Sequence, residues 1–105
     1  MNFRVLPEAN REVTEALGWF AERHRYRAVG LLWSMWLDGL ELIKENPRRY
    51  PRAEDNPTPY EIRNYILPKY GYRIVYQIEG SDHVILSLCR GQRRTAHWLD
   101  RVRLP

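Results

Sequence analysis

Apolar residues recur along this chain with two different periods. Ala9, Val13, Ala16, Leu17 and Phe20 fall at helical spacing, as do Val29, Leu32, Trp33, Trp36, Leu40 and Ile43. Pro7 suits the first turn of the earlier helix, where a missing N–H is no loss. A break near His24–Arg27 separates that helix from a second, predicted over Ala28–Glu45. Upstream, Asn2–Leu6 reads as a short strand. Downstream the period falls to two: Tyr72, Ile74, Tyr76 and Ile78 alternate with Arg73, Val75, Gln77 and Glu79, as in a strand. Gly80-Ser81 predicts a tight hairpin turn, because glycine accepts the positive φ such turns need. Val84, Leu86 and Leu88 continue on the partner strand, with Ile85 on its other face. Tyr60–Leu67 alternates well enough to be a further strand, turned back by Pro68–Gly71. Pro47, Pro51, Pro57 and Pro59 hold Asn46–Pro59 as a loop. For Thr95–Arg101 the pattern fits a short helix or an extended segment.

These elements run β-α-α-β-β-β, an α+β order with a helical hairpin laid across a mainly antiparallel sheet. The 105 residues suit one domain and contain no linker, repeat or low-complexity tract. No run approaches the roughly 20 apolar residues of a membrane span, and the first residues are too short and broken for a signal peptide. One cysteine, Cys89, has no internal disulfide partner, which predicts a reducing, cytoplasmic setting. Its place among the apolar residues of the last strand predicts a buried, inert thiol. No His/Cys/carboxylate set has metal-ligand spacing. With no glycine-rich phosphate loop or Ser/His/Asp arrangement either, neither metal nor cofactor is expected.

Charge adds a locality. The net charge is +4, and of 17 basic residues only Lys44 and Lys69 are lysines. A genomic base-composition bias would enrich arginine everywhere, but the chain's end is enriched beyond the rest. From Arg90 onward, Arg90, Arg93, Arg94, Arg101 and Arg103 meet only one acid, Asp100. Guanidinium groups make planar, bidentate contacts with phosphate and carboxylate. Arg90, Arg93 and Arg94, at the exit of a rigid hairpin, are therefore candidates to hold an anionic partner. Trp33, Trp36 and Trp98 are candidate partner contacts. The two helical tryptophans widen the apolar face of the second helix beyond one stripe, which fits either a partner surface or burial against the sheet. Trp98 would clamp the tail onto the sheet edge. Trp19 reads as core, His24 and His83 as surface residues. His97, beside arginines, is the one histidine placed for proton transfer.

The strand Gly71-Tyr72-Arg73-Ile74-Val75-Tyr76, the hairpin, Gly91-Gln92-Arg93 and His97-Trp98 together resemble the C-terminal half of the RelE/ParE superfamily of bacterial toxins. The strand Phe3–Leu6 running into Pro7-Glu8-Ala9, and the segment Glu45–Pro51 after the second helix, extend the resemblance over the whole chain. It implies a strongly twisted sheet with the helical hairpin on one face. It also implies a type II toxin neutralised by a cognate acidic antitoxin.

Two activities occur in that superfamily. In its ribosome-dependent ribonucleases, basic residues surround the scissile phosphate of mRNA, and the matching positions here are Arg63, Arg73 and Arg93, with His97 as acid or base. Such chemistry needs cations for the charge building on the phosphoryl oxygens and a proton-transfer pair. The chain departs from that pattern. Glu61 stands where those enzymes carry a lysine, and Leu99 falls on their aromatic acid-base position. A carboxylate at 61 repels an RNA backbone and calls for its own cation. Arg73 on its strand could be that cation, paired with Glu61 across the sheet. The chain is closer to the ParE-like branch, for which the resemblance implies DNA gyrase as target and no catalysis. Three readings follow: a ParE-like binder, a RelE-like ribonuclease, or a non-toxic binding module retaining the fold.

Overall fold

A computed structural model describes residues 2–91 and 96–103. Its elements are β1 (Phe3–Val5), α1 (Pro7–Glu22), α2 (Tyr26–Glu45), a 3-10 turn (Pro47–Arg49), β2 (Glu61–Ile66), β3 (Tyr72–Glu79), β4 (Asp82–Arg90) and a 3-10 turn (Leu99–Arg101). The expected order therefore stands, with α2 starting one half-turn early and the open question of the tail resolved as a single short turn. Pro7 opens α1 at its first position. His24 closes it with φ of 56°, a left-handed cap in which its N–H donates to Ala21 O and that of Arg25 to Phe20 O. Histidine tolerates that region better than bulky residues do, and the chain reverses there into α2.

The sheet order is β1-β4-β3-β2. β2–β3 and β3–β4 are antiparallel; β1 joins β4 in parallel, Phe3 facing His83 and Val5 facing Ile85. This pairing buries His83, 5% exposed, where a surface histidine was expected. Burial pushes its pKa down. A second departure lies in β4. Val75 pairs with Ser87 and Tyr76 with Ile85, so Leu86 is an extra residue, a β-bulge. Such an insertion shifts the alternation by one. Leu88 thus joins Ile85, Ile74, Tyr76 and Ile78 under the helices, while Val84 and Leu86 face the other way with Val75, Ile62 and Cys89.

That other face is not open to solvent either. Ala53 of the proline-rich loop and Ala96 and Trp98 of the tail cover it in a second apolar cluster. Arg73 and Gln77 are consequently buried. Gln77 meets its environment by exchanging two hydrogen bonds with the Arg103 backbone, Nε2 to O at 2.9 Å and N to Oε1 at 2.8 Å. Cys89 lies in this layer, 2% exposed, and burial pushes its thiol pKa up.

α2 lies close on the first face because Gly39 permits it. A Cβ at that position would sit 2.8 Å from Ile74 Cδ1 and 3.0 Å from Tyr65 Cε2. Ile74 is fully buried and has nowhere to swing. Gly39→Ala is accordingly expected to destabilise the fold by about 1–3 kcal/mol, the cost of overpacking, although alanine is the better helix former by roughly 1 kcal/mol. Urea unfolding reads the sign directly; a stabilised variant would show that the helix simply lifts.

Candidate functional site

Arg63 and Arg73 emerge from neighbouring strands on opposite faces of the sheet, Arg63 beside Tyr76 on the helical side and Arg73 beside Cys89 on the side covered by the loop and tail. Their guanidinium groups are committed internally. Arg63 donates from Nε to Glu61 at 2.8 Å and from Nη1 to Tyr50 O at 2.7 Å. Glu61 also accepts two bonds from Arg48, at 3.1 and 3.0 Å. The carboxylate at 61 thus has its cations, Arg48 and Arg63, and not Arg73. Burial would raise its pKa, but the hydrogen bonds from both arginines outweigh that and hold it below the usual carboxylate range.

Arg73 pairs instead with Asp55 of the proline-rich loop. Nη2 lies 2.6 Å from Asp55 Oδ2, Nη1 reaches Asp55 Oδ1 and Asn64 Oδ1, and Nε donates to Gly91 O at 3.0 Å. Four of the five donors of a guanidinium are spent. The side chain is 7% exposed. A buried, neutralised arginine anchors the loop to the sheet; it presents no positive charge to a phosphate. Arg93 and Arg94 lie outside the described residues.

His97 belongs to a second cluster, at the outer edge of β4. β1 covers this edge only as far as Ile85, where its continuation ends with Leu6 N donating to Ile85 O. Beyond that point two side chains take the place of a strand. The Leu88 N–H donates to Glu12 Oε1 at 3.3 Å, and Leu86 O accepts from Arg101 Nη1 at 2.9 Å. Arg101 and Glu12 join each other through two contacts, at 2.9 and 3.3 Å. The Ser87 hydroxyl donates to Glu12 at 2.9 Å, and His97 Nε2 lies 2.8 Å from Glu12 and 3.2 Å from Ser87. Burial would raise the Glu12 pKa, but hydrogen bonds from Arg101, His97 and Ser87 outweigh it and hold the carboxyl low.

Serine, histidine and glutamate within hydrogen-bond reach invite comparison with a nucleophile triad. The geometry denies it. In a triad the base uses one ring nitrogen on the hydroxyl and the other on the carboxylate. Here Nε2 faces both, and Ser87 is fully buried. The cluster closes an open sheet edge and fastens the tail.

The tryptophans separate. Trp36 and Trp98 are 2% and 0% exposed, so each fills core instead of meeting a partner. Trp33 is 46% exposed on α2, and Trp19, expected in the core, is 39% exposed beneath the Arg23 guanidinium, 3.8 Å from its ring. Arg90 is exposed and lies 6.0 Å from the same ring. A cleft of about 350 Å³ lies between them, lined among others by Glu12, Trp19, Tyr72, Arg90 and His97. Among the described residues no cluster of metal-ligating side chains occurs, and no helix is long and apolar enough to cross a membrane. Sequence reasoning missed Glu12, Asp55 and Ser87, the partners that decide what the basic residues can do.

No protein-family model matches the chain, and no curated protein does. Among solved structures, a chain of the chromosomal ParDE TA system from P. aeruginosa superposes with a TM-score of 0.66 at 11% identity. The match covers 88% of this chain and 97% of that one. The two helices on a four-stranded mixed sheet are thus an α+β architecture shared with a chain of a ParDE toxin–antitoxin system.

Proposed function

We propose that the chain is the toxin of a toxin–antitoxin pair, acting in the cytoplasm by binding its target and not by cutting RNA. The observation that carries this reading is the internal neutralisation of Arg63 and Arg73 on a ParDE-like fold. Phosphoryl transfer depends on cations aimed at the oxygens where charge develops, and both described candidates are aimed at carboxylates of their own chain. His97 shares one nitrogen between Glu12 and Ser87 and is fixed in the tail clamp. Recognition of a protein surface asks only for exposed aromatic and basic groups, which Trp19, Trp33 and Arg90 supply. DNA gyrase is the target implied by the sequence resemblance, and an acidic peptide that folds on contact is the matching antitoxin.

Three assays test the reading together. Purified protein is expected to inhibit gyrase supercoiling, and the acidic product of a neighbouring gene is expected to co-purify with it and relieve the inhibition. Toe-printing on programmed ribosomes is expected to show no new cuts. Discrete cleavage in the A site, with gyrase unaffected, would replace the binder with a ribonuclease.

A further inference from the structure

Three features of α2 have no explanation inside one chain. Tyr26, Trp33 and Leu37 are 64%, 46% and 42% exposed. With Gly30 they fall at i, i+4, i+7 and i+11, the spacing of a seam that packs along another helix. Gly30 is exposed, and a Cβ there would meet nothing within 4 Å, so intramolecular packing does not call for a glycine in mid-helix. Glycine is the residue that lets a second backbone come near. The charges, finally, oppose the helix dipole. Arg25 and Arg27 stand at the N-terminal end, with no acid in the first turn, and at the other end Glu41 and Glu45 flank a single cation, Lys44. Glu41 meets only exposed Lys44, at 3.4 Å; among the described residues Arg27 and Glu45 enter no ion pair.

We propose that α2 is the interface for a second copy of this chain, paired antiparallel about a twofold axis near Ser34. Arg27 and Glu41 are each seven residues from Ser34. The twofold axis therefore brings Arg27 of each copy to the level of Glu41 of the other, twice over. Leu37 of each copy lies over Gly30 of the other, with Trp33 beside the axis. The opposed dipoles of antiparallel helices remove the penalty each end carries alone. An acidic peptide would match Arg25 and Arg27 but set like charge against Glu41 and Glu45; a basic peptide would do the reverse. Only a partner of inverted polarity fits the whole face, and α2 itself is one. An isologous contact of this kind is self-complementary by symmetry. The inference stands whether or not the chain is a toxin.

Sedimentation equilibrium of the full chain is the test. The wild-type protein is expected to dimerise with increasing concentration. Gly30→Gln is expected to weaken association by about tenfold or more, since a long side chain fills the close approach, while the melting temperature holds or rises. Arg27→Glu and Glu41→Arg each turn two attractive pairs into repulsive ones, and each is expected to weaken the dimer by a similar factor. An equimolar mixture of those two variants restores both pairs and is expected to associate like the wild type. A wild-type chain that stays monomeric through the micromolar range overturns the proposal. So does a dimer indifferent to Gly30→Gln, or a mixture that associates no better than either variant alone.

Discussion

Glu12→Gln is expected to cost about 3–5 kcal/mol, the loss seen when one member of a buried ion pair is removed and the other remains. Arg101, with a side chain only 14% exposed, would keep its charge with no counter-charge. The Ser87 hydroxyl and the Leu88 N–H both donate to Glu12 Oε1 and would compete for the one amide oxygen. A domain of this size holds together by about 5–15 kcal/mol in total, so the melting temperature is expected to fall by roughly 15–30 °C. A fall of only a few degrees would show that the edge of β4 does not depend on this carboxylate.

The same variant isolates an acid dependence. The Glu12 carboxyl is held below its usual value of 4.5. A group with a depressed folded pKa binds fewer protons when folded, so its contribution is complete above the unfolded value. It drains away as pH falls from about 4.5 through the lower folded value. Glu61 is depressed in the same direction by Arg48 and Arg63, so the wild-type curve sums both. The difference between wild type and Glu12→Gln removes the shared part. That difference is expected to be flat near neutrality and to shrink below pH 4.5. A gap that stays constant into acid would mean that charge at Glu12 is not what stabilises the clamp.

What the sequence disclosed and what it hid differ in range. The two helices and the β3–β4 hairpin are written in local spacing: Ala9, Val13, Ala16 and Phe20 are the buried residues of α1, as their period requires. The partners of the charged residues are not local. Arg73 finds Asp55 across 18 positions and Arg101 finds Glu12 across 89, and neither acid carries a sequence mark of its own. Glu61 was conspicuous because it stood where a cation was expected, yet its partners are Arg48 and Arg63 and not the arginine on the adjoining strand. The bulge at Leu86 reverses the sidedness of Leu88, and no glycine announces it. The tail then buries a strand face that alternation alone assigns to water. Trp98, expected at an edge, is the largest side chain of that second cluster and fully enclosed.

Arg73→Ala is expected to lower stability and activity together. The substitution removes every bond that joins the proline-rich loop through Asp55 to β3, and strands Asp55, whose side chain is 17% exposed. The expected cost is again about 3–5 kcal/mol. Adding Asp55→Ala removes the stranded charge as well, so the double variant is expected to be less damaged than the two single losses sum to, with a coupling of about 0.5–3 kcal/mol. A phosphate-binding arginine predicts the opposite pattern: activity lost, melting temperature unmoved, and no coupling to Asp55. Arg90→Ala supplies the contrast on the same hairpin. Arg90 is exposed, with no ion pair among the described residues, and its replacement is expected to shift stability by only about 0.5 kcal/mol. If growth inhibition or antitoxin affinity falls in Arg90→Ala at constant melting temperature, while in Arg73→Ala it falls only with the fold, recognition belongs to the exposed cation and architecture to the buried one. An Arg73→Ala protein that melts normally yet loses its activity would return Arg73 to the site and reopen the ribonuclease reading.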